Sequence, residues 1–411
     1  MQLNYLAFAI PGFFLFLLLE YMAAKIKKRT DIFKYESSVA NISIGIAERL
    51  LNLFISAAFY SLFTYIYHKY ALFQIPNSWW VWLLLILSTD LVWYWYHRLG
   101  HEINLFWAAH IVHHQSEELN YTVAARITTI QALVRNLFWC ILPFMGFHPD
   151  MVITMLLIHG AYSFFTHTQL IGKLGWLEYI LITPSLHRVH HASNEKYLDK
   201  NYGDVFVFWD KIFGTFQKED EKPLYGLTHP VKSYSFLWQH FHYFLEIAEA
   251  FQNSRGFSQK LRILFGSPAN MDQNIRPLLE KRFLSHRSKG TRLRYKNYVT
   301  VQLILCIIVL LFIILFFKYA LLPERLVSLF FILITLINCG ALLEQRKWVY
   351  YLEITRVLIV MSYISYTFNM ISLLIIPLTA LLFLEVLLPV EKWYYQCIYR
   401  TNPDSGVKTN E

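Results

Sequence analysis

The sequence predicts an all-α polytopic membrane protein with about nine transmembrane or membrane-embedded helices and a cytoplasmic, histidine-rich helical cap. Three observations lead there. Of the 411 residues, 56% are hydrophobic and only 16% charged, whereas an average soluble domain is about 25% charged. Nine apolar runs are spread along the chain, several near the roughly 20 residues that cross a bilayer core of about 30 Å. The 16 histidines gather at the ends of these runs and in one polar segment between them. This composition, with mean hydropathy +0.36, excludes intrinsic disorder, a collagen-like fibre and a nucleic-acid-binding basic domain. The formal charge of +9 therefore belongs to loops on one side of a membrane. Cys140, Cys306, Cys339 and Cys397 form no C-x-x-C pair, so they read as small hydrophobes and not as a disulfide framework.

The first run, residues 3–24, has no basic stretch before it and no small-residue cleavage site after it. It reads as a retained anchor and not as a signal peptide. A second run covers 42–67, with Glu48 and Arg49 near its start. A third, 79–96, leads straight into His97. Runs 130–147 and 151–165 are separated only by His148, Pro149 and Asp150, the pattern of a tight helical hairpin. The character changes between His167 and Thr300, which hold 19 of the 37 Lys+Arg and 12 of the 28 Asp+Glu. Within this extramembrane stretch, 234–251 is aromatic and polar by turns, as in a helix lying in the interface. Four more runs follow: 299–322, 326–343, 348–366 and 370–388. The expected segments are anchor helices (1–76), a di-metal catalytic domain (77–232), interfacial helices and linker (233–297), C-terminal spans (298–390) and a polar tail (391–411).

Loop charge gives orientation. The Lys/Arg-rich segments 25–34, 169–297 and Arg346–Lys347 fall on one side if the first span runs outside to inside. The opposite loops carry only Lys69, Lys318 and Arg325. By the positive-inside rule the central segment faces the cytoplasm, at the bacterial inner membrane or the endoplasmic reticulum, according to source.

Three histidine clusters carry the chemistry: His97-x-x-x-His101, His110-x-x-His113-His114 and His187-x-x-His190-His191. On a helix, positions i and i+4 share a face, so H-x-x-x-H aims two imidazoles one way. Each H-x-x-H-H adds a third about 100° round. Such spacings chelate metals, and chance supplies one H-x-x-H-H in a chain this long with an expectation of roughly 0.03. His167 ends the hairpin twenty residues before the third cluster. Eight or nine imidazoles exceed the needs of one ion, so two metals are implied. Imidazole suits Fe, Zn, Cu and Ni alike.

Supporting residues are weaker signals. Asp90, Tyr94, His97 and His101 share one helical face. Asp90 is expected either to fix the tautomer of a ligand histidine or to serve as an interhelical hydrogen bond. Glu102 fits an outer group, a ligand or a surface charge, and Glu117 and Glu118 fit a solvated face. His159 reads as core. His229, His240 and His242 fit an entrance or a surface. His68, His148 and His286 read as structural.

These residues resemble the fatty acid hydroxylase / sterol desaturase superfamily of membrane di-iron oxygenases, with a closer likeness to its alkylglycerol monooxygenase branch. The resemblance rests on HRLGHE (97–102), HIVHHQSEELNYTVAAR (110–126), the run ending SLHRVHHASN (165–194), DKNYGDVFVFWDKIFGTF (199–216) and YGLTHP (225–230). It implies that the eight cluster histidines ligate two non-haem Fe ions, with His167 as a ninth ligand. It also implies that Glu102 occupies the acidic position after the first motif, and that Asn201, in N-Y-G, supports the ligands from outside. Where other branches offer a second H-x-x-x-H, this chain has Ser163 ahead of His167, which leaves the ligand set open. The implied activity uses O2 to hydroxylate a lipid C–H bond, at the carbon next to the ether oxygen of an alkylglycerol, giving fatty aldehyde and glycerol. The implied donor is an external reductant, a tetrahydropterin, for which the chain shows no motif. A hydroxylase or desaturase of sterols, carotenoids or fatty acyl chains is the alternative within the superfamily. A metal transporter would place ligands at mid-membrane, and a structural zinc protein needs only a site for folding. The expected partner is a membrane lipid, with no nucleic acid.

Overall fold

The computed structural model describes residues 4–284 and 291–401; His286 and residues 402–411 of the polar tail lie outside the described residues. The helices in chain order are α1 (Ala9–Ile26), α2 (Tyr35–Tyr70), α3 (Trp79–Glu102), α4 (Asn104–His114), α5 (Tyr121–Ala124), α6 (Thr129–Trp139), α7 (Ile141–Met145), α8 (Pro149–Thr166), α9 (Pro184–His190), α10 (Phe208–Ile212), α11 (Phe236–Asn253), α12 (Phe257–Phe265), α13 (Ile275–Leu284), α14 (Lys296–Leu315), α15 (Leu322–Leu343), α16 (Val349–Phe368), α17 (Ser372–Leu387) and α18 (Val390–Ile398). One short antiparallel ladder pairs β1 (Thr291–Leu293) with β2 (Tyr399–Thr401). The chain divides into two compact units. One comprises residues 15–232 and 240–278, the other 1–14, 233–239 and 279–411.

In the first unit, the core that sets the position of α3 gathers Phe59 and Phe63 of α2, Val81, Leu85 and Tyr96 of α3, Trp139 of α6, and Met151, Val152 and Met155 of α8. Trp139 is fully buried, with its ring 5.6 Å from Trp93 and 5.8 Å from Tyr96. Within a bilayer such side chains stabilise by close van der Waals packing and not by leaving water. A second cluster, Ile44, Ala108, Ile111, Val112, Tyr243 and Ile247, packs α4 against α2 and α11. Close approach decides one contact: a Cβ on Gly45 of α2 would stand 2.8 Å from the Ala125 carbonyl oxygen just past α5.

The run 130–147, expected as one helix, is two. α6 stops at Cys140 and α7 ends at Gly146, whose φ of +109° favours glycine. Pro143 inside the short α7 cannot donate a backbone hydrogen bond, which weakens a continuous helix here. The hairpin then turns through His148, whose ring accepts the Asp150 N–H and caps α8.

Four helical segments are long and apolar enough to cross a membrane: Leu6–Ile26, Tyr35–Tyr70, Lys296–Leu315 and Leu322–Leu343. The pair α17–α18, bent by 90°, makes a fifth if it is one span. The count of about nine rested on apolar runs alone. The other runs do fold as helices, but α3 carries buried Asp90, α8 carries buried His159, and α16 carries Glu353 and Arg356.

The second unit packs α14, α15 and α16 around that charge. The Glu353 carboxylate accepts from the Tyr298 hydroxyl at 2.6 Å and the Asn338 amide at 2.7 Å, and pairs with Arg356.

Candidate metal centre

α3 runs into the site because its apolar face is spent against α2, α6 and α8, which leaves His97 and His101 to face α4 and α9. α4 begins two residues after α3 ends, so its own histidines return to the same place. α9 starts at Pro184, pre-set for a first helical turn, and brings the third cluster in.

The nine histidines singled out from the sequence divide into two groups. His97, His101, His110, His114 and His190 form one; His113, His167, His187 and His191 form the other. The sequence clusters do not map one to one onto these groups. Within each H-x-x-H-H, the i and i+4 rings go to one group and the i+3 ring goes to the other, as the 100° rotation per residue dictates. The groups adjoin: the His114 and His191 rings stack with centroids 4.6 Å apart.

In the four-histidine group, His167 Nε2 lies 3.1 Å from His113 Nε2, 3.0 Å from His187 Nε2 and 3.2 Å from His191 Nε2. A cation with metal–nitrogen bonds of about 2.0–2.1 Å holds neighbouring ligand nitrogens on the order of 3 Å apart. In the other group, His110 and His114 bring their Nε2 atoms to 3.1 Å, while buried Nε2 atoms of His97, His101 and His190 have no hydrogen-bond partner. Converging, buried, orphaned imidazole nitrogens fit a divalent metal in each group. Neither group includes a carboxylate.

The opposite ring nitrogens are tied back. His97 Nδ1–H donates to the Tyr202 carbonyl at 2.9 Å, His190 to that of Lys200 at 3.0 Å, and His167 to that of Ser163 at 2.7 Å. His113 Nδ1 faces the Arg126 carbonyl at 3.3 Å. A carbonyl can only accept, so each bond places the proton on Nδ1 and turns the Nε2 lone pair inward. Burial, reinforced by neighbouring imidazoles, pushes His110, His114, His187, His190 and His191 well below their ordinary value. Burial alone brings His167 down to about 4. The rings are neutral at pH 7, the state that binds metal.

The remaining expected residues fall as follows. Glu102 is half-exposed and forms an i,i+4 ion pair with Arg98 at 2.8 Å. Asn201 is fully buried, in the left-handed region at φ +54°; its amide donates to the Leu186 and Gln217 carbonyls. Asp90 departs from expectation, because it touches no cluster histidine. Its two carboxylate oxygens accept the Val205 and Phe206 N–H groups at 2.8 and 3.0 Å, and backbone carbonyls do the tautomer-fixing expected of it. His159 is buried as expected, but beside Asp204 at 2.7 Å and Asp90 at 3.8 Å. His242 is buried and reaches the Gln115 side chain at 2.9 Å, whereas His229 is exposed.

Sequence reasoning passed over Arg126 and Gln131. The buried Arg126 guanidinium donates to the Val112 carbonyl, Asn41 and Gln115 at 2.6–2.7 Å, and burial pushes it down to about 9. Gln131 meets His110 Nδ1 at 3.0 Å. The available signal was a lone charge closing the uncharged stretch NYTVAAR.

Comparison with known proteins agrees with this geometry. The fatty acid hydroxylase family profile matches residues 82–215. Alkylglycerol monooxygenase of Homo sapiens is 35% identical over 367 residues, 86% of this chain and 81% of the human protein. The enzymes of the same name from Xenopus tropicalis and Danio rerio are 36% and 35% identical over 266 residues, 64% of this chain and 59% of each relative. No solved structure matches the chain. With its histidine groups and this coverage, the chain belongs to the fatty acid hydroxylase family of lipid-hydroxylating monooxygenases, on the alkylglycerol monooxygenase branch.

Proposed function

We propose that the chain is a di-iron monooxygenase that hydroxylates, with O2, the carbon next to the ether oxygen of an alkylglycerol lipid, working at the cytoplasmic face of the membrane. The observation that carries this reading is the pair of adjoining all-histidine groups in a chain 35% identical to a relative named for that substrate. Bound iron would supply O2 activation and attack on an unactivated C–H bond, which acid–base side chains do not perform.

The chain's own residues prepare the site. Backbone carbonyls behind His97, His113, His167 and His190 fix the Nε2 lone pairs before any metal arrives. Aromatic rings exclude water: Trp107 and Tyr202 lie 4.9 and 5.2 Å from the His101 ring. Glu102, with its exposed carboxylate one residue from His101, we assign to the polar head of the lipid; Asp90 we assign to loop support. The four to five long apolar helices would keep the alkyl chain in the bilayer.

The reaction balances as R–H plus O2, two electrons and two protons to R–OH plus water. The product is a hemiacetal. Its new hydroxyl proton passes to the old ether oxygen, the bond between that oxygen and the hydroxylated carbon breaks, and a fatty aldehyde and glycerol result. The two electrons come from outside the chain, and a tetrahydropterin is the donor to test first.

The test is anaerobic purification, iron and zinc analysis, and incubation of labelled alkylglycerol with O2 and reduced pterin. Fatty aldehyde that disappears on His113→Ala or His190→Ala is expected. Full activity without iron contradicts the reading. Bound iron with oxidation of a different lipid only would replace the substrate assignment.

A further inference from the structure

Three buried carboxylates outside the histidine groups converge on one short stretch of backbone. Asp210 accepts the Tyr202 N–H at 2.7 Å, the Gly203 N–H at 2.9 Å and the Thr215 hydroxyl at 2.7 Å. Asp204 receives the His159 Nδ1–H at 2.7 Å. Asp90 receives the Val205 and Phe206 N–H groups at 2.8 and 3.0 Å. Asp90 and Asp210 are fully buried and Asp204 is 5% exposed. Buried carboxylates are costly unless hydrogen-bonded, and here each one is spent on the segment 202–206 or on its own side chain within it.

That segment has a second property. Two backbone supports lie at and just before its start: the Tyr202 carbonyl behind His97 and the Lys200 carbonyl behind His190. Asn201, between them, takes φ +54°, a conformation that costs a non-glycine residue and persists only where the surroundings enforce it. The crowding is tight enough that a Cβ on Gly203 would lie 2.6 Å from the Phe206 carbonyl oxygen and 2.9 Å from Asp210 Oδ2. Both supported histidines belong to the five-histidine group. The supports identified for the four-histidine group come from elsewhere, the Ser163 carbonyl in α8 and the Arg126 carbonyl.

We propose that Asp90, Asp204 and Asp210, with His159 as the partner of Asp204, are positioning residues that build the five-histidine metal site selectively, by holding backbone 200–206 behind His97 and His190. A carbonyl that drifts by even a fraction of an ångström lets the imidazole rotate, and loss of such an outer partner typically weakens metal binding 10–100-fold. Asp90, His159 and Asp204 could also be taken for a third cation site, since their ligand atoms lie within 4.8 Å of one another. The geometry favours the clamp. The His159 nitrogen that faces the acids already donates to Asp204, and both Asp90 oxygens already accept amides.

The proposal rests on the two-metal reading of the histidines, and its test separates the two. The full-length chain in detergent or nanodiscs is loaded anaerobically with Fe(II). Iron per chain is measured against a competing chelator, with Mössbauer spectra to resolve the sites. The variants are Asp210→Asn, Asp204→Asn and His159→Gln, together with Asp210→Ala if it folds. The wild type is expected to hold two irons. Each variant should lose one site preferentially, with chelator competition shifted about 10–100-fold for that site and the other spectral component unchanged. His159→Gln, whose amide can still donate to Asp204, should lie nearest the wild type. Wild type without bound iron sinks the metal reading itself. Wild type with two irons and variants that lose both equally, or neither, sinks the positioning claim. Three irons in the wild type, one of them absent in Asp204→Asn, would make the trio a metal site instead of a clamp.

Discussion

His190 and His191 are neighbours in sequence and belong to different groups, so replacing each by alanine should empty different sites. The size of the effect follows from ligand number. Four-ligand structural zinc sites bind with about 10–16 kcal/mol, so one ligand of four stands for about 2.5–4 kcal/mol, roughly 10²–10³ in affinity. His191→Ala leaves its group three nitrogens and should weaken that site by the full factor. His190→Ala leaves four of five, so the loss at its site should be smaller. Both rings are buried, and an alanine in either place leaves a void of imidazole size, so each variant also needs a check that it still folds. The assay is iron per chain across a chelator titration, with Mössbauer components assigned by comparing the two variants. Depletion of the same spectral component by both substitutions would refute the division into two groups, and so would retention of two tightly held irons in His191→Ala.

Glu102→Gln should leave iron content unchanged and cost at most about 1 kcal/mol of stability, because it loses a surface ion pair with Arg98; a fall in bound iron would make Glu102 a ligand. Arg126→Lys should destabilise by several kcal/mol, since one ammonium cannot serve Val112, Asn41 and Gln115 together and each orphaned buried partner costs about 1–3 kcal/mol; unchanged thermal unfolding in detergent would contradict this. Gly146→Ala should be strongly destabilising, because a Cβ there would collide with the Phe73 carbonyl oxygen and φ is +109°; an unchanged melting temperature would contradict this. Acid should strip the metal. Burial holds His97, His110, His113, His114, His167, His187, His190 and His191 below the ordinary histidine value in the fold, so an unfolded chain takes up protons first. Stability is complete above about pH 6.5 and lost as pH falls towards the His167 value of about 4. Iron retained at pH 4 would oppose this sign.

The histidine spacing was legible because helical geometry converts i, i+4 directly into a shared face; the eight histidines it singled out, and His167, which the resemblance added, lie in the two groups. The assignment of His113 to one group and His114 to the other was not legible. It depends on how α4 is rotated against α9, which only tertiary packing sets. The partners of the Nδ1 atoms were invisible for a simpler reason: they are backbone carbonyls, which every residue carries. Asp90 is buried, but its partners, the Val205 and Phe206 amides, lie 115 and 116 residues away and have no side-chain signature. The apolar runs gave the helices well. Among the described residues, four to five segments are by themselves long and apolar enough to cross a membrane; other runs carry buried polar residues such as Asp90 and His159.

Isotopic oxygen tests the central claim most directly. The purified, iron-loaded chain is given 1-O-alkylglycerol, reductant and 18O2 in ordinary water, and the aldehyde is trapped at once by hydride reduction to the fatty alcohol, which keeps its oxygen. Hydroxylation beside the ether oxygen places the new oxygen on the aldehyde carbon and leaves the original ether oxygen on glycerol. The account predicts one 18O in the trapped fatty product and none in glycerol. Label in glycerol, or unlabelled aldehyde formed without O2 consumption, would contradict it.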